Sequence, residues 1–361
     1  MSEFHSLEIA EVKRETAEAI SVAFRIPAAH QRTFQFRPGQ HVAVRARIHD
    51  QEERRSYSIC SGPGDPVRIA IKRIADGRFS HWANATLAPG ARLDVAPPAG
   101  HFVLPAASGS GRQIVAIAAG AGITPIIAIL THALASEPAA HITLIYGNRS
   151  PDSILFRQRL EDLKDRHLER FTFINVLSRN DEMSAPLLEG RITGEKLRAM
   201  ASVLFKPAEV AHFFLCGPGS MIKQCRTTLF DLGVARGAVH HEFFAPGGGA
   251  YRAAAAPPAV AAASAGPSGG TEAIAILDGI RHAFVVPAGA RVVDAALAAG
   301  LRVPYACKAG MCCSCRAKLV EGQAEMVTNY SLEPWEIARG FILTCQAVAT
   351  SDRLVIDYDA M

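Results

Sequence analysis

The stretch PYACKAGMCCSCRAKLVEGQAEMVTNYSLEPWEIARGFILTCQ, from Pro304 to Gln346, decides the fold of the C-terminal part of the chain. Its cysteines follow the pattern C-x4-C-x2-C with a distant fourth cysteine, at Cys307, Cys312, Cys315 and Cys345. This is the spacing of a plant-type [2Fe–2S] site, which needs four thiolates around two irons. Three ligands come from one loop, and Gly310 lets its backbone turn sharply around the cluster.

Two other interpretations of these cysteines are a zinc or disulfide framework and a set of ordinary core thiols. Both are disfavoured, because zinc and disulfide patterns rarely combine a four-residue gap with a two-residue gap. Cys313 is a fifth cysteine in the loop, and using it in place of Cys312 breaks both gaps. We therefore predict that Cys313 is a packed thiol and that the other four bind the metal.

The composition indicates a globular protein with more than one core. The chain has 361 residues, of which 49% are hydrophobic, and a formal net charge of +4. This length suggests two or three domains. Basic residues do not cluster with aromatic ones, so we expect no nucleic-acid partner. The charged N-terminus lacks the apolar core of a signal peptide, and a cluster with reduced thiols favours the cytoplasm.

Residues 1–107 are predicted to form a small antiparallel β-barrel. Strand-like runs lie at 6–27, 41–47, 55–60, 67–74 and 92–95, separated by turn sequences such as PGQ and SGPGDP. Several short strands at this spacing are typical of small barrels.

Residues 108–244 alternate between apolar strands and helical segments. Predicted strands lie at 113–119, 141–148, 171–178, 211–216 and 239–244, with helices at 123–136, 153–167, 194–204 and 220–232. This alternation predicts a parallel, doubly wound α/β sheet. The charge-free segment 114–136 is long enough to cross a bilayer. GAGITP interrupts it at Gly120, so we predict a strand, a turn and a helix, and no membrane partner.

The last third of the chain contains a linker and a third domain. Residues 245–270 are rich in Ala, Pro and Gly, and we predict a semi-flexible linker there. Within 271–361, strands are predicted at 273–277, 282–286, 316–319, 341–344 and 354–358, with helical segments at 292–299 and 332–338. Strands crossed by one helix, with the metal loop after it, fit an α+β ferredoxin of the β-grasp type.

Four further motifs lie where ligands bind in such folds. GAGITP (120–125) joins a strand to a helix, where glycines and helix N–H groups can receive a phosphate; the alternative is a tight turn of small residues. RSYS (55–58) offers an arginine to a phosphate and a tyrosine to a ring, although surface strands often carry such residues. GRFS (77–80) can open a helix toward a phosphate. CGP (216–218) places Cys216 either at a ligand site or in the core as a small buried thiol.

The order of these motifs, followed by EFF at 242–244, resembles the ferredoxin–NADP⁺ reductase superfamily over residues 1–244. The C-terminal part, with CKAGMCCSCRAKLVEGQAEM, NYSLE and GFILTCQ, resembles plant-type ferredoxins. A reductase followed by a ferredoxin in one chain is similar to the electron-transfer components of bacterial oxygenases, in particular the reductase subunits of phenylacetyl-CoA epoxidases. The resemblance implies an FAD domain, an NAD(P)H domain and a [2Fe–2S] ferredoxin domain.

The resemblance also implies roles for single residues. Arg55 would meet the FAD pyrophosphate, Tyr57 would lie on the isoalloxazine, and Ser58 would sit near flavin N5. Cys216 would touch the nicotinamide, so the candidate catalytic residues are Tyr57, Ser58 and Cys216. DGRFS lacks the double glycine of many relatives at the second pyrophosphate contact. The other candidates for cofactor binding are Gly77, Phe79, Ser80, Gly120, Gly122, Thr124, Pro125, Gly217, Pro218, Glu242 and Phe243.

Nucleotide choice is expected from the strand end at 146–150, where relatives select the cofactor. Arg149 and Ser150 can bind a 2′-phosphate, and positions 147–150 hold no acidic residue to receive a ribose diol. The sequence therefore favours NADPH over NADH.

Together these features predict a reductase that passes electrons from NADPH through FAD and a [2Fe–2S] cluster to a separate di-iron oxygenase acting on phenylacetyl-CoA. One alternative is the same machine serving another oxygenase, such as an aromatic-ring dioxygenase, because no residue here touches the organic substrate. An alternative of another class is a non-enzymatic iron–sulfur redox sensor. It is disfavoured because a sensor needs no nicotinamide site.

Overall fold

The computed structural model describes residues 3–106, 111–179, 185–244, 270–332 and 334–360. These residues form two compact units, one built chiefly from residues before 248 and the other chiefly from residues after it. The linker predicted at 245–270 lies outside the described residues, except for Gly270. The domain borders proposed at 107, 244 and 270 stay predictions.

The first domain of the larger unit is a six-stranded antiparallel sheet closed into the predicted barrel. Its elements are β1 (His5–Thr16), β2 (Ala19–Arg25), β3 (His41–Ile48), β4 (Gln51–Ser58), β5 (Arg68–Lys72), α1 (Arg78–Thr86) and β6 (Arg92–Val95). The strand order is β4-β3-β6-β1-β2-β5, and an antiparallel bridge between Ile59 and Ile69 joins the two edges. Closure removes the free strand edges that would otherwise invite pairing with another chain.

The run predicted as strand at 6–27 is a hairpin, in which β1 and β2 are joined at Ala17 and Glu18. A two-residue connection is the commonest way to join two antiparallel strands. Alternate side chains of the hairpin enter the barrel core, where burial of each large apolar one contributes about 1.5–3 kcal/mol. These core residues include Leu7, Ile9, Val22 and Phe24.

The second domain of the same unit is a five-stranded parallel sheet wound with helices. Its elements are β7 (Gln113–Ala119), α2 (Ile123–Ser136), β8 (His141–Asn148), α3 (Arg157–Arg166), β9 (Phe171–Leu177), α4 (Gly194–Leu204), β10 (Val210–Gly217), α5 (Gly219–Asp231) and β11 (Val239–Phe243). The strand order is β11-β10-β7-β8-β9. The chain leaves β7 toward β8 and later returns to β10 on its other side. The switch point therefore lies between β7 and β10, where such sheets bind ligands.

The charge-free segment 114–136 contains a strand, a turn and a helix, as predicted. Residues 114–118 of β7 are fully buried, and a 3-10 turn at Gly120–Gly122 separates the strand from α2. α2 has 14 residues, whereas a transmembrane helix needs about 20. None of the helices within the described ranges is long and apolar enough to cross a membrane.

The helix predicted at 153–167 is wrong in its first turn. Pro151–Ser153 form a separate 3-10 turn, and α3 begins only at Arg157. Phe156, just before it, has a left-handed backbone with φ of 58°. Ile154, Leu155 and Phe156 are all buried, so tertiary packing of these apolar side chains overrides the helical periodicity.

The smaller unit has the predicted ferredoxin fold. Its elements are β12 (Thr271–Leu277), β13 (Ile280–Val286), α6 (Val292–Ala298), β14 (Arg316–Glu321), β15 (Ala324–Met326), α7 (Pro334–Ala338), β16 (Phe341–Leu343), β17 (Ala347–Ala349) and β18 (Arg353–Asp357). The mixed sheet has the order β13-β12-β18-β14-β16, and β12 runs parallel to β18. The pair β15-β17 was not predicted, because three-residue strands carry too little periodicity to be recognised.

Candidate functional site

The cluster loop brings the four predicted ligands together as two pairs. The side chains of Cys307 and Cys312 interact directly, and so do those of Cys315 and Cys345. Cys315 directly precedes β14 and Cys345 closely follows β16, and these strands pair antiparallel. The Thr344 N–H donates to the Cys315 carbonyl at 3.1 Å, which holds the second pair together.

Amide groups surround the ligand sulfurs. The Cys307 N–H donates to Cys312 Sγ, and the Ala309 N–H donates to Cys307 Sγ, both at 3.4 Å. Contact with Cys315, and then donation from the Gln346 side chain and the Gly310 N–H, lowers the pKa of the Cys345 thiol. Donors aimed at sulfur favour the thiolate, which is the form that binds iron.

The loop is tightly packed on the segment that follows β15. A Cβ at Gly310, whose φ is +75°, would lie 2.9 Å from the Thr328 carbonyl oxygen. The Tyr330 N–H in turn donates to the Gly310 carbonyl at 3.1 Å. Cys313 interacts with Ser331, and burial raises the pKa of its thiol to about 11. A buried, protonated thiol agrees with the prediction that Cys313 is not a ligand.

The donor set fits a two-iron cluster rather than a single ion. In the described ranges, no group of three or more His, Cys, Asp or Glu side chains converges on one metal position. Four cysteines arranged as two pairs instead offer two thiolates to each of two irons. Thiolates select soft metals and iron–sulfur clusters over hard cations such as magnesium or calcium.

The predicted flavin site lies where β4 meets α1. The ring centroids of Tyr57 and Phe79 are 5.8 Å apart, and Arg55 shares the Tyr57 face of β4, two residues away. Phe79 is buried in the barrel core, and Ser80 Oγ donates to the Gly77 carbonyl at 3.0 Å. Those two side chains therefore hold the barrel, and a pyrophosphate would meet the first-turn N–H groups of α1, which have no partner within the helix.

The barrel and the α/β domain share one polar contact at the switch point. Ser58 Oγ donates to Glu242 Oε2 at 3.1 Å, and His41 Nδ1 lies 3.9 Å from Glu242 Oε1. Cys216 is the register partner of Glu242 on the neighbouring strand. Burial, and then the Glu242 carboxylate, raises the pKa of the Cys216 thiol. The structure thus brings Ser58, Cys216 and Glu242 together.

The two glycines of GAGITP have different environments. A Cβ at Gly122 would lie 2.1 Å from the Cys216 carbonyl oxygen, so the turn packs directly on the end of β10. Gly120 has φ of +54°, and a Cβ there would meet nothing within 4 Å. The Tyr146 hydroxyl donates to the Gly120 carbonyl at 2.9 Å. A fixed turn with open space in front of it fits a dinucleotide pyrophosphate.

The remaining residues predicted for the nucleotide flank this turn. Thr124 Oγ1 donates to a carbonyl of the turn at 3.0 Å, and both Thr124 and Pro125 are buried in the first turn of α2. Gly217 and Pro218 connect β10 to α5, and a Cβ at Gly217 would lie 3.1 Å from the Ala119 nitrogen. Phe243 is a buried residue at the end of β11.

Two arginines lie together at the carboxyl end of the sheet. Arg149 is exposed just after β8, and the Arg179 N–H donates to the Arg149 carbonyl at 2.8 Å. Ser153 Oγ accepts from the N–H groups of Arg149 and Ser150, at 3.2 and 3.0 Å, and fixes their turn. Arg179 is also exposed, so this edge offers two cations to a phosphate.

Sequence reasoning missed His41, Arg179 and Gln346. Each of the first two meets a predicted site residue that is distant in the chain, and no local motif announces such a contact. Gln346 stands in the quoted GFILTCQ motif, but its role depends on which carbonyl its amide reaches.

Three family models match the chain in the predicted order. They are an oxidoreductase FAD-binding domain over residues 6–104, an oxidoreductase NAD-binding domain over 116–227, and a 2Fe-2S iron-sulfur cluster binding domain over 275–350. These matches confirm FAD, NAD(P)H and a [2Fe–2S] cluster as the cofactors. The last model spans all four predicted cysteine ligands.

Full-length relatives share this organisation. The chain is 40% identical over 365 residues to the reductase subunit of the 1,2-phenylacetyl-CoA epoxidase of Escherichia coli K12, covering 100% of this chain and 99% of that protein. It is 33% identical to the ferredoxin reductase component of 3-ketosteroid-9-alpha-monooxygenase of Rhodococcus rhodochrous, over 98% and 96% of the two chains. Phthalate dioxygenase reductase has the same fold, with a TM-score of 0.60, 23% identity and 98% coverage of both chains.

Proposed function

Because this chain belongs to the family of oxygenase ferredoxin-reductase components that includes the reductase of 1,2-phenylacetyl-CoA epoxidase, we propose that it transfers electrons from NADPH to the di-iron oxygenase of a phenylacetyl-CoA epoxidase. The full-length identity of 40% to that reductase is the observation that carries the proposal. We also propose a cytoplasmic location, because the cluster loop and its free thiols suit a reducing compartment.

The cofactors supply the electron chemistry, and the protein supplies binding and orientation. When bound, FAD takes hydride from the nicotinamide and hands electrons on singly to the cluster. Arg55 and the first-turn N–H groups at Gly77, Phe79 and Ser80 bind the FAD pyrophosphate. Tyr57 packs against the isoalloxazine and keeps water from one of its faces.

The contact between Ser58 and Glu242 manages a proton at the flavin edge. The Ser58 hydroxyl is 3.1 Å from the Glu242 carboxylate, so it can carry a proton between that carboxylate and flavin N5. Cys216 stays protonated, because burial raises its pKa, and offers a small uncharged surface to the nicotinamide. Gly217, Pro218 and Phe243 shape the rest of this wall.

Gly120 and Gly122 receive the nucleotide pyrophosphate, with Thr124 and Pro125 holding the start of α2 behind them. Arg149 and Ser150 select the 2′-phosphate of NADPH, and the neighbouring Arg179 adds a second positive charge. Cys307, Cys312, Cys315 and Cys345 hold the cluster as two pairs, as the direct interactions within each pair support.

Reconstitution with the purified oxygenase of a phenylacetyl-CoA epoxidase tests the proposal. We expect NADPH oxidation that depends on phenylacetyl-CoA, with one epoxide formed per NADPH. The E. coli reductase serves as the positive control. NADPH oxidation without epoxide formation, at the rate seen without oxygenase, would contradict the assigned partner.

A second candidate is a reductase for another oxygenase, and the full-length ketosteroid relatives favour keeping it. An aromatic-ring dioxygenase and a ketosteroid monooxygenase are assayed in the same way, with the same reductase preparation. Ferricyanide reduction by NADPH separates all these enzymes from a non-enzymatic redox sensor, which has no nicotinamide site and would not support it.

A further inference from the structure

Gln346 links the two chain segments that carry the cluster ligands. It directly follows Cys345, and its side chain is 3% exposed. Its amide Nε2 donates to the Lys308 carbonyl at 2.9 Å and contacts Cys345 Sγ at 3.6 Å. One amide carries two N–H donors, so a single side chain bonds to the cluster loop and to the fourth ligand sulfur.

The loop end of this link is strained. Lys308, next to the ligand Cys307, has a left-handed backbone with φ of 51°. A non-glycine residue in this region costs on the order of 1–3 kcal/mol and persists only where its surroundings hold it. The Gln346 amide supplies such a constraint, because it bonds to the carbonyl of that residue.

The orientation of Gln346 is fixed on its own strand side. Its backbone N–H donates to the Leu343 carbonyl at 2.8 Å, and its own carbonyl accepts from the Val327 N–H at 3.0 Å. A Cβ at Gly310 would lie 3.0 Å from Gln346 Cγ, so the loop closes over the side chain. The amide therefore has little freedom to turn away from the Cys345 sulfur.

We propose that Gln346 is a positioning residue that sets the reduction potential of the cluster, by donating its amide to the Cys345 sulfur while holding the loop at Lys308. This inference rests on the proposed function, because it needs the cluster bound by the four cysteines. Reduction adds negative charge to the iron–sulfur core, and hydrogen bonds to the sulfurs stabilise that charge. Losing the donor therefore lowers the potential.

The test compares Gln346→Met with Asn329→Leu in the full-length holoprotein. Met keeps the length of the side chain and removes the amide. Asn329 is the matched control, because its amide donates to the Leu332 carbonyl at 2.9 Å and accepts from the Ser331 N–H, beside the same loop. Dye-linked reductive titration, followed by the visible and EPR spectra of the cluster, measures the midpoint potential.

We expect Gln346→Met to disfavour cluster reduction about tenfold, a shift of about 59 mV for one electron, while Asn329→Leu keeps the parent potential. A parent potential in Gln346→Met at full iron content overturns the proposal. Equal shifts in both variants overturn it too, because general loosening of the loop would then be the cause.

A measurement on the parent protein covers the case in which the Met variant loses its cluster. The chain is labelled with ¹⁵N at the side-chain amide of glutamine, reduced with dithionite, and examined by pulsed EPR. We expect a ¹⁵N hyperfine coupling from the amide beside the cluster. Absence of the coupling overturns the proposal. Neither readout involves the oxygenase, so failure of the proposed partner would leave both unchanged.

Discussion

At the scale of single residues, adjacent cysteines of the cluster loop have different environments. Cys312 interacts directly with Cys307, whereas Cys313 interacts with Ser331 and has a left-handed backbone with φ of 54°. The backbone turn at Cys313 sends successive side chains to different neighbours. The same loop thus separates a ligand from a packed thiol.

Replacing Cys313 by serine should leave the cluster in place. The side chain is isosteric, and the thiol it replaces serves no metal in this arrangement. Iron content and the visible spectrum should match those of the parent, while Cys312→Ser loses the cluster or makes it labile. The reverse outcome, with Cys312→Ser keeping its iron and Cys313→Ser losing it, would show that the ligand assignment is wrong.

Arg149→Ala should raise KM for NADPH far more than KM for NADH. A hydrogen bond to a charged group is worth about 1.5–3 kcal/mol, which corresponds to roughly tenfold to a hundredfold in binding. Steady-state reduction of ferricyanide with each nucleotide measures the two values.

Arg157→Ala is the matched control for Arg149→Ala, because Arg157 is exposed nearby in sequence and pairs with Glu161 at 2.8 Å on α3. It should change neither KM. Equal losses for NADPH and NADH in Arg149→Ala would remove the assignment to the 2′-phosphate.

At the scale of elements, strands β10 and β11 carry a cluster of partly buried histidines. His212 Nδ1 lies 3.1 Å from His240 Nε2, and the Arg226 guanidinium lies 3.0 Å from His241 Nε2. Burial first, and then the neighbouring His212, lowers the pKa of His240 to about 4. Burial and Arg226 lower the pKa of His241 to about 4 as well. The folded sheet therefore holds both imidazoles neutral.

Acid should destabilise this sheet in a defined pH range. Unfolded histidines titrate near 6.5, so below that pH the unfolded state binds more protons than the folded one. Stability then falls as the pH drops from about 6.5 toward 4. Thermal unfolding at pH 7.5 and 5.5 should show a smaller drop for His240→Phe than for the parent.

His141, exposed at the start of β8, provides the control for this effect. His141→Phe should show the parent pH dependence. A drop of equal size in His240→Phe would mean that other groups cause the acid sensitivity.

At the scale of the whole molecule, electron transfer is divided between two compact units. The flavin and nucleotide motifs lie in the larger unit, and the cluster ligands lie in the smaller one. Each unit has its own hydrophobic core. Damage to the cluster should therefore leave the flavin site folded, because few packing contacts pass through a linker of this composition.

Cys315→Ser should separate the two halves of the pathway. Serine oxygen is a poorer ligand for this soft metal centre, so we expect loss of the cluster with FAD retained. Ferricyanide reduction by NADPH should stay near the parent rate, whereas transfer to cytochrome c or to the oxygenase should collapse.

Cys313→Ser, in the same loop, is the control for both assays and should retain both activities. If ferricyanide reduction in Cys315→Ser fell as far as oxygenase turnover while FAD stayed bound, the order NADPH, FAD, cluster, partner would be wrong.

The amino-acid sequence by itself determined the features that depend on local spacing. The interval between cysteines identified the cluster ligands, and the alternation of apolar runs identified a barrel, a parallel sheet and a ferredoxin. These inferences succeed because side-chain period and loop length are properties of neighbouring residues. The first turn of α3 was predicted wrongly, since burial of Ile154, Leu155 and Phe156 is decided by packing that is remote in sequence.

Only the tertiary structure decided which residues meet at the sites. Ser58 reaches Glu242 because the barrel and the α/β sheet meet at the switch point, and Arg179 reaches Arg149 because β9 lies beside β8. Gln346 reaches Lys308 because the cluster loop folds back over β16. Such contacts depend on strand order and register, which are fixed by the free energy of the whole fold and leave no periodic signal in the chain.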